Sequence, residues 1–186
     1  MIYLDNGKAM QLLDLHIKRQ NLKKHIFAVA AIMKSLGKCL GKNETDFYLA
    51  GLLHDLDFEE TEGNPKEHGL KAAEMLRGKI SEEIEYAIKA HNSENTEFEP
   101  KSEMDFALIA SDAVSGLIIS CALVQPTKKL ADVTVESVSK KIKQKDFARN
   151  CSRERILFYE KLGLKQEEFF DISLNALKGI SNDLGL

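Results

Sequence analysis

Tryptophan is absent from the chain, and proline and cysteine are scarce, with three of each in 186 residues. So few prolines, beside 11 glycines, leave little from which to build a flexible linker or a turn-dense all-β fold. The cysteines, Cys39, Cys121 and Cys151, are odd in number and form no CxxC pair. That argues against a disulfide framework and suits buried thiols in a reducing compartment. No repeat, low-complexity tract or strand alternation is visible. A net charge of −3 and a pI of about 6.0 give no overall pull towards nucleic acid. The opening residues, MIYLDNGKAM, hold no apolar signal region, so a cytoplasmic location is expected.

What is present is helical periodicity nearly throughout. It predicts helices over about Gly7–Gln20, Asn21–Leu40, from the Asn43 cap to near His54, Pro65–Gly78, and Ser81–His91. A long apolar helix runs from Ser102 to about Val124, and three more cover Val133–Lys145, Arg153–Leu162 and Gln166–Leu184. Leu56–Asn64 and NSENTEFEP read as loops. The run Phe106–Val124 is long enough to raise the question of a membrane span. Asp112 near its middle is costly in lipid, so a buried core helix is the better reading and no membrane partner is expected. The expected fold is all-α, a single unit over 1–186, with the core of the site within about 21–124 and helices of 125–186 packed on it.

Four of the five histidines fall on apolar helix faces. His25 lies in line with Val29, Ile32 and Leu36; His68 with Ala72 and Met75; His91 with Ile84, Ala87 and Ile88; and His54 follows Phe47, Ala50 and Gly51. Asp112 shares a face with Leu108 and Ile119, and Asp55 follows His54 directly. One inward histidine is ordinarily a core residue bonded to a carbonyl. Six buried polar side chains in a small core need many partners, each missing one costing about 1–3 kcal/mol, and a shared cation satisfies them together. Imidazole and carboxylate donors suit a borderline or hard divalent ion, and Zn, Mn, Fe, Mg, Co and Ni are not distinguished by them. Adjacent helical residues point about 100° apart, so His54 and Asp55 can face one ion only where a helix ends.

These residues, with the phrases AGLLHDLD, EHGLKAAEML, AIKAHN and ALIASDAVSGLI, resemble the HD superfamily of metal-dependent phosphohydrolases, in particular its small stand-alone HDIG-type proteins. The resemblance implies an all-α bundle with a central metal site. It implies His25, His54, Asp55 and Asp112 as ligands of one ion, and His68 and His91 as ligands of a second in two-metal members, with Asp55 bridging. The chain has no GYP triplet, which argues against a cyclic-dinucleotide substrate, and its dyad continues as Leu56–Asp57 rather than Ile–Gly. The implied activity is hydrolysis of a phosphate ester of a small molecule, such as a nucleotide, with one or two divalent ions as cofactor. Asp55 and Asp57 are the candidate catalytic carboxylates. Asp57, Glu59 and Glu60 either orient water and protonate the leaving group or belong to a solvated loop.

Between Gln125 and Arg155 lie nine lysines and arginines against four acids. They form either a solvated helix face or a basic wall that draws in a phosphorylated substrate. Lys89 and Asn92, beside His91, reach either phosphate or solvent. A nucleic-acid partner is not favoured, since no binding motif or aromatic interleaving accompanies the charge. Two other classes stand beside the hydrolase: a non-catalytic HD-fold sensor that binds a nucleotide, and a helical interaction protein with coincidental histidines.

Overall fold

A computed structural model describes residues 4–186. Among the described residues there is no strand; the chain is a helical bundle. Helix α1 spans Asn6–His16, α2 Gln20–Cys39 and α3 Glu44–Leu53. The short α4 (Phe58–Thr61) and α5 (Leu70–Leu76) lead to α6, Glu82–Ala90. Helix α7 covers Glu103–Leu123, α8 Val135–Lys141, α9 Arg153–Ile156, α10 Gln166–Gly179 and α11 Ser181–Leu184, with 3-10 turns at Leu130–Asp132 and Leu157–Leu162.

The expected caps are there. Asn43 accepts from Thr45 N, Ser81 from Ile84 N, and Ser102 forms a reciprocal box with Asp105, so α3, α6 and α7 start where side chains satisfy their first amides. The α2–α3 pair is the frame of the site. Gly37 on α2 lies against Phe47, and Gly51 on α3 lies against Ala30, so the helices run antiparallel. A Cβ at Gly51 would stand 2.7 Å from Ala30 Cα, which is why the closest approach falls on a glycine. One turn beyond it, α3 ends at His54, opposite His25 near the start of α2.

Helix α7 lies across this pair. It is long and apolar enough by length and composition to cross a bilayer, but 67% of its most apolar window is buried inside the bundle, where it forms the central helix. The C-terminal helices add Phe169, Phe170, Leu174 and Leu177 to one hydrophobic cluster running from Ala9 to Leu184.

Some boundaries differ from the periodicity. Helix α1 stops at His16 because Lys18 and Arg19 turn their amides to Glu59. The helix expected from Pro65 starts only at Leu70, since Gly69 adopts φ +84° with Ile88 O pressed against it, 2.7 Å from where a Cβ would sit. Part of the expected Leu56–Asn64 loop coils into α4. The helix expected to reach Lys145 ends at Lys141, and the last one breaks at Ile180.

Candidate metal centre

His54 and His91 occupy equivalent places, each the C-cap of its helix. The last carbonyls of a helix lack partners, and both rings supply one: Nδ1–H donates to Gly51 O (2.8 Å) in His54 and to Ile88 O (2.5 Å) in His91. The two remaining rings are tied the same way. His25 Nδ1 lies 3.3 Å from Ser115 Oγ, whose own hydrogen goes to Asp112 O. His68 Nδ1 donates to Asp57 Oδ1 at 2.9 Å. In all four histidines, therefore, a proton sits on Nδ1 and Nε2 is left to face a cation or, without one, a second proton, the arrangement that outer partners impose on metal-ligating imidazoles.

The four Nε2 atoms surround Asp55, which is buried. Asp55 Oδ1 is 3.3 Å from His54 Nε2, 3.3 Å from His68 Nε2 and 3.6 Å from His91 Nε2, while Oδ2 is 3.6 Å from His25 Nε2. Asp112 Oδ1 is 3.1 Å from His25 Nε2. The ligand-type atoms fall into two clusters with Asp55 in common, His25–His54–Asp55 and Asp55–His68–His91. The C-termini of α3 and α6, negative ends of the helix dipoles, point at the same place.

Two features mark a cation-shaped arrangement. His54 Nε2 is buried and makes no hydrogen bond. His68 and His91 also direct Nε2 at each other, 3.1 Å apart, although the proton of each neutral ring is taken up on Nδ1. Two lone pairs at that distance need a positive charge between them. Without an ion a proton serves: burial alone would lower the His68 pKa, but hydrogen bonds to Asp55 and Asp57 outweigh it and push it up to about 10. Burial by itself would raise the Asp55 pKa, but His54, His68 and His91 hold it well below the usual carboxylate range. For His25, burial is likewise outweighed, by Asp112, and its pKa is raised. The residues present fit a divalent cation.

His54 goes the other way. Burial depresses its pKa from 6.5 to about 4, against the pull of Asp55. Between those values the unfolded chain binds a proton that the folded, metal-free one does not, so stability falls as pH falls. His25 and His68, both shifted up, hold their protons there. Urea unfolding of metal-free protein should show a loss on the order of 3 kcal/mol between pH 6.5 and about 4; a flat profile would contradict a neutral, buried His54.

The acidic residues after the dyad are not where a water-orienting role would put them. Asp57 is wholly buried behind His68; besides His68 it accepts Gly69 N at 2.8 Å and Ala72 N at 2.9 Å. Its expected place as a catalytic acid or base is therefore corrected: its oxygens are taken by N–H donors, and it orients His68. Glu59 takes the amides of Lys18 and Arg19, and Glu60 meets His16 and Lys71. Lys89 pairs with Glu85 rather than facing a phosphate. Asn92 holds the preceding loop, donating to Pro65 O and His68 O.

A cavity of about 820 Å³ opens over the cluster, lined by His25, Asp55, His68, His91 and Asp112, with Arg19, Leu22, Phe58, Asn92 and Arg155 around them. Arg155 is the residue that sequence reasoning did not single out. Its Nη2 donates to Asp112 Oδ2 at 2.7 Å and to His91 O at 2.9 Å. From the basic stretch it alone lines this cavity; Arg153 is spent on backbone carbonyls.

The family profile of the HD domain matches residues 22–116, a span that contains all six clustered residues. No solved structure matches the chain significantly. With half of its length matched, the chain belongs to the HD-domain family, which generally contains metal-dependent phosphohydrolases.

Proposed function

We propose that the protein is a metal-dependent phosphohydrolase acting on a phosphate ester of a small molecule, a nucleotide or related phosphate. The observation that carries this reading is the pair of clusters sharing Asp55, with every Nδ1 tied back so that every Nε2 faces inward. His25, His54, Asp55 and Asp112 would hold one divalent ion, and His68 and His91 a second, with Asp55 common to both. When bound, such ions supply Lewis acidity, acidifying water and neutralising phosphoryl oxygens. The chain's own residues do the rest. Asp55 and Asp112 balance the charge, while His54 and His91, nearly unexposed, wall the centre off from bulk water on the protein side. The cavity mouth leaves room for a phosphorylated substrate, and Arg155 brings a guanidinium to it.

Release of inorganic phosphate from a panel of nucleotides and sugar phosphates, with each divalent ion in turn, tests the reading. At least one ester should be hydrolysed and a chelator should stop it. Metal binding without hydrolysis of any ester would instead leave a ligand-binding sensor.

Asp57→Asn tests the support behind His68. An amide nitrogen facing His68 Nδ1 would donate where the carboxylate accepts, moving the ring proton to Nε2 and blocking its lone pair. Affinity for the second ion should fall about 10–100-fold, read by metal titration. Unchanged titration would show that Asp57 does not set the His68 tautomer.

A further inference from the structure

The segment that delivers Arg155 lies outside the matched span and is built with care. The Arg153 guanidinium gathers the carbonyls of Ile142 (3.3 Å), Gln144 (3.1 Å), Ala148 (2.7 Å) and Cys151 (2.7 Å), closing the loop between α8 and α9 around one charge. Ser152 then caps α9 by accepting Arg155 N at 3.2 Å. The loop docks on α7 at Gly116, where a Cβ would stand 2.8 Å from Cys151 Sγ, one turn beyond Asp112. These contacts fix where the Arg155 side chain enters the cavity.

Once there, the guanidinium is only partly used. Nη2 serves both Asp112 and the His91 carbonyl. Nε is buried and without a partner, and Nη1 makes no hydrogen bond among the described residues. Three of five N–H donors are therefore unspent on a side chain that lines the cavity over the cluster. A clamp meant only to hold Asp112 needs one donor. Nη1, with two spare donors beside a centre that fits cations, can donate charge-assisted hydrogen bonds to the oxygens of a tetrahedral dianion. The other arginine at the cavity, Arg19, is already engaged by Glu59 and Glu62.

We propose that Arg155 is a catalytic residue that binds the phosphoryl group of the substrate, while its Nη2 holds Asp112 in place. This rests on the phosphohydrolase reading. The test measures binding of inorganic phosphate to manganese-loaded protein by calorimetry, with metal content determined on the same samples, for wild type, Arg155→Lys and Arg155→Ala. The rate on an ester that wild type hydrolyses is compared in parallel. Arg155→Ala should bind phosphate about tenfold or more weakly with its metal count unchanged. Lysine, a point charge that cannot hold Asp112 and offer further donors in one plane, should recover only part, and it keeps the test alive if the alanine variant does not fold. Phosphate affinity within twofold of wild type in the folded variants would overturn the proposal. So would loss of metal from both, which would make Arg155 a positioning residue for Asp112 alone. If wild type neither binds phosphate nor hydrolyses any ester, the phosphohydrolase reading fails as well; if wild type does both and the variants match it, only the role of Arg155 fails.

Discussion

Asp55→Ala should strip the protein of both metal and phosphatase activity while leaving its helices in place. Among the described residues Asp55 is the one side chain within 3.6 Å of all four Nε2 atoms, and both clusters need it. Removing it takes away a ligand and the negative charge that balances a cation in a buried place. Loss of an outer partner of a ligand already costs about 10–100-fold in affinity or activity, so loss of the shared carboxylate should exceed that range. The fold should survive, because what Asp55 gives α4 is its main-chain carbonyl, which accepts Phe58 N and which alanine keeps, and the close Gly51–Ala30 contact of α3 with α2 does not involve it. Metal analysis, circular dichroism and the phosphate-release assay on one preparation check all three parts. Full metal content and turnover in the variant would show that Asp55 is not a ligand.

The double change His68→Ala with His91→Ala should reduce the metal count from two ions per chain to one and leave little activity. These two rings form the second cluster with Asp55, and their Nε2 atoms stand 3.1 Å apart. The first cluster, His25 and His54 with Asp55, is untouched, and Asp112 remains beside His25. Titration of metal-free wild type and variant against a divalent ion reads the difference. If wild type never takes up more than one ion at saturation, the two-ion reading is wrong, and His68 and His91 are better assigned to the substrate phosphate.

The helices were legible in the sequence where caps and periodicity agreed: Asn43, Ser81 and Ser102 open α3, α6 and α7 as expected. The dyad was legible too, because two polar groups after an apolar run need a helix end, and His54 is that end. Gly69 was not, since a positive φ is imposed by the Ile88 carbonyl across the fold rather than by neighbours in sequence. Asp57 was assigned to catalysis because a carboxylate two residues beyond the dyad looks the same whether it faces a cavity or the amides of Gly69 and Ala72; only the return of the chain at α5 decides. Arg155 was hidden as one of nine basic residues in a single stretch, and what separates it is its contact with Asp112, 43 positions earlier in the chain.

The most direct measurement is anomalous diffraction from crystals of zinc-loaded protein. Anomalous peaks should lie about 2.0–2.2 Å from the Nε2 atoms of His25 and His54 and from Asp55, with a second peak against His68 and His91. Peaks confined to other parts of the surface, or none at this cluster at saturating zinc, would contradict the metal centre on which the functional reading stands.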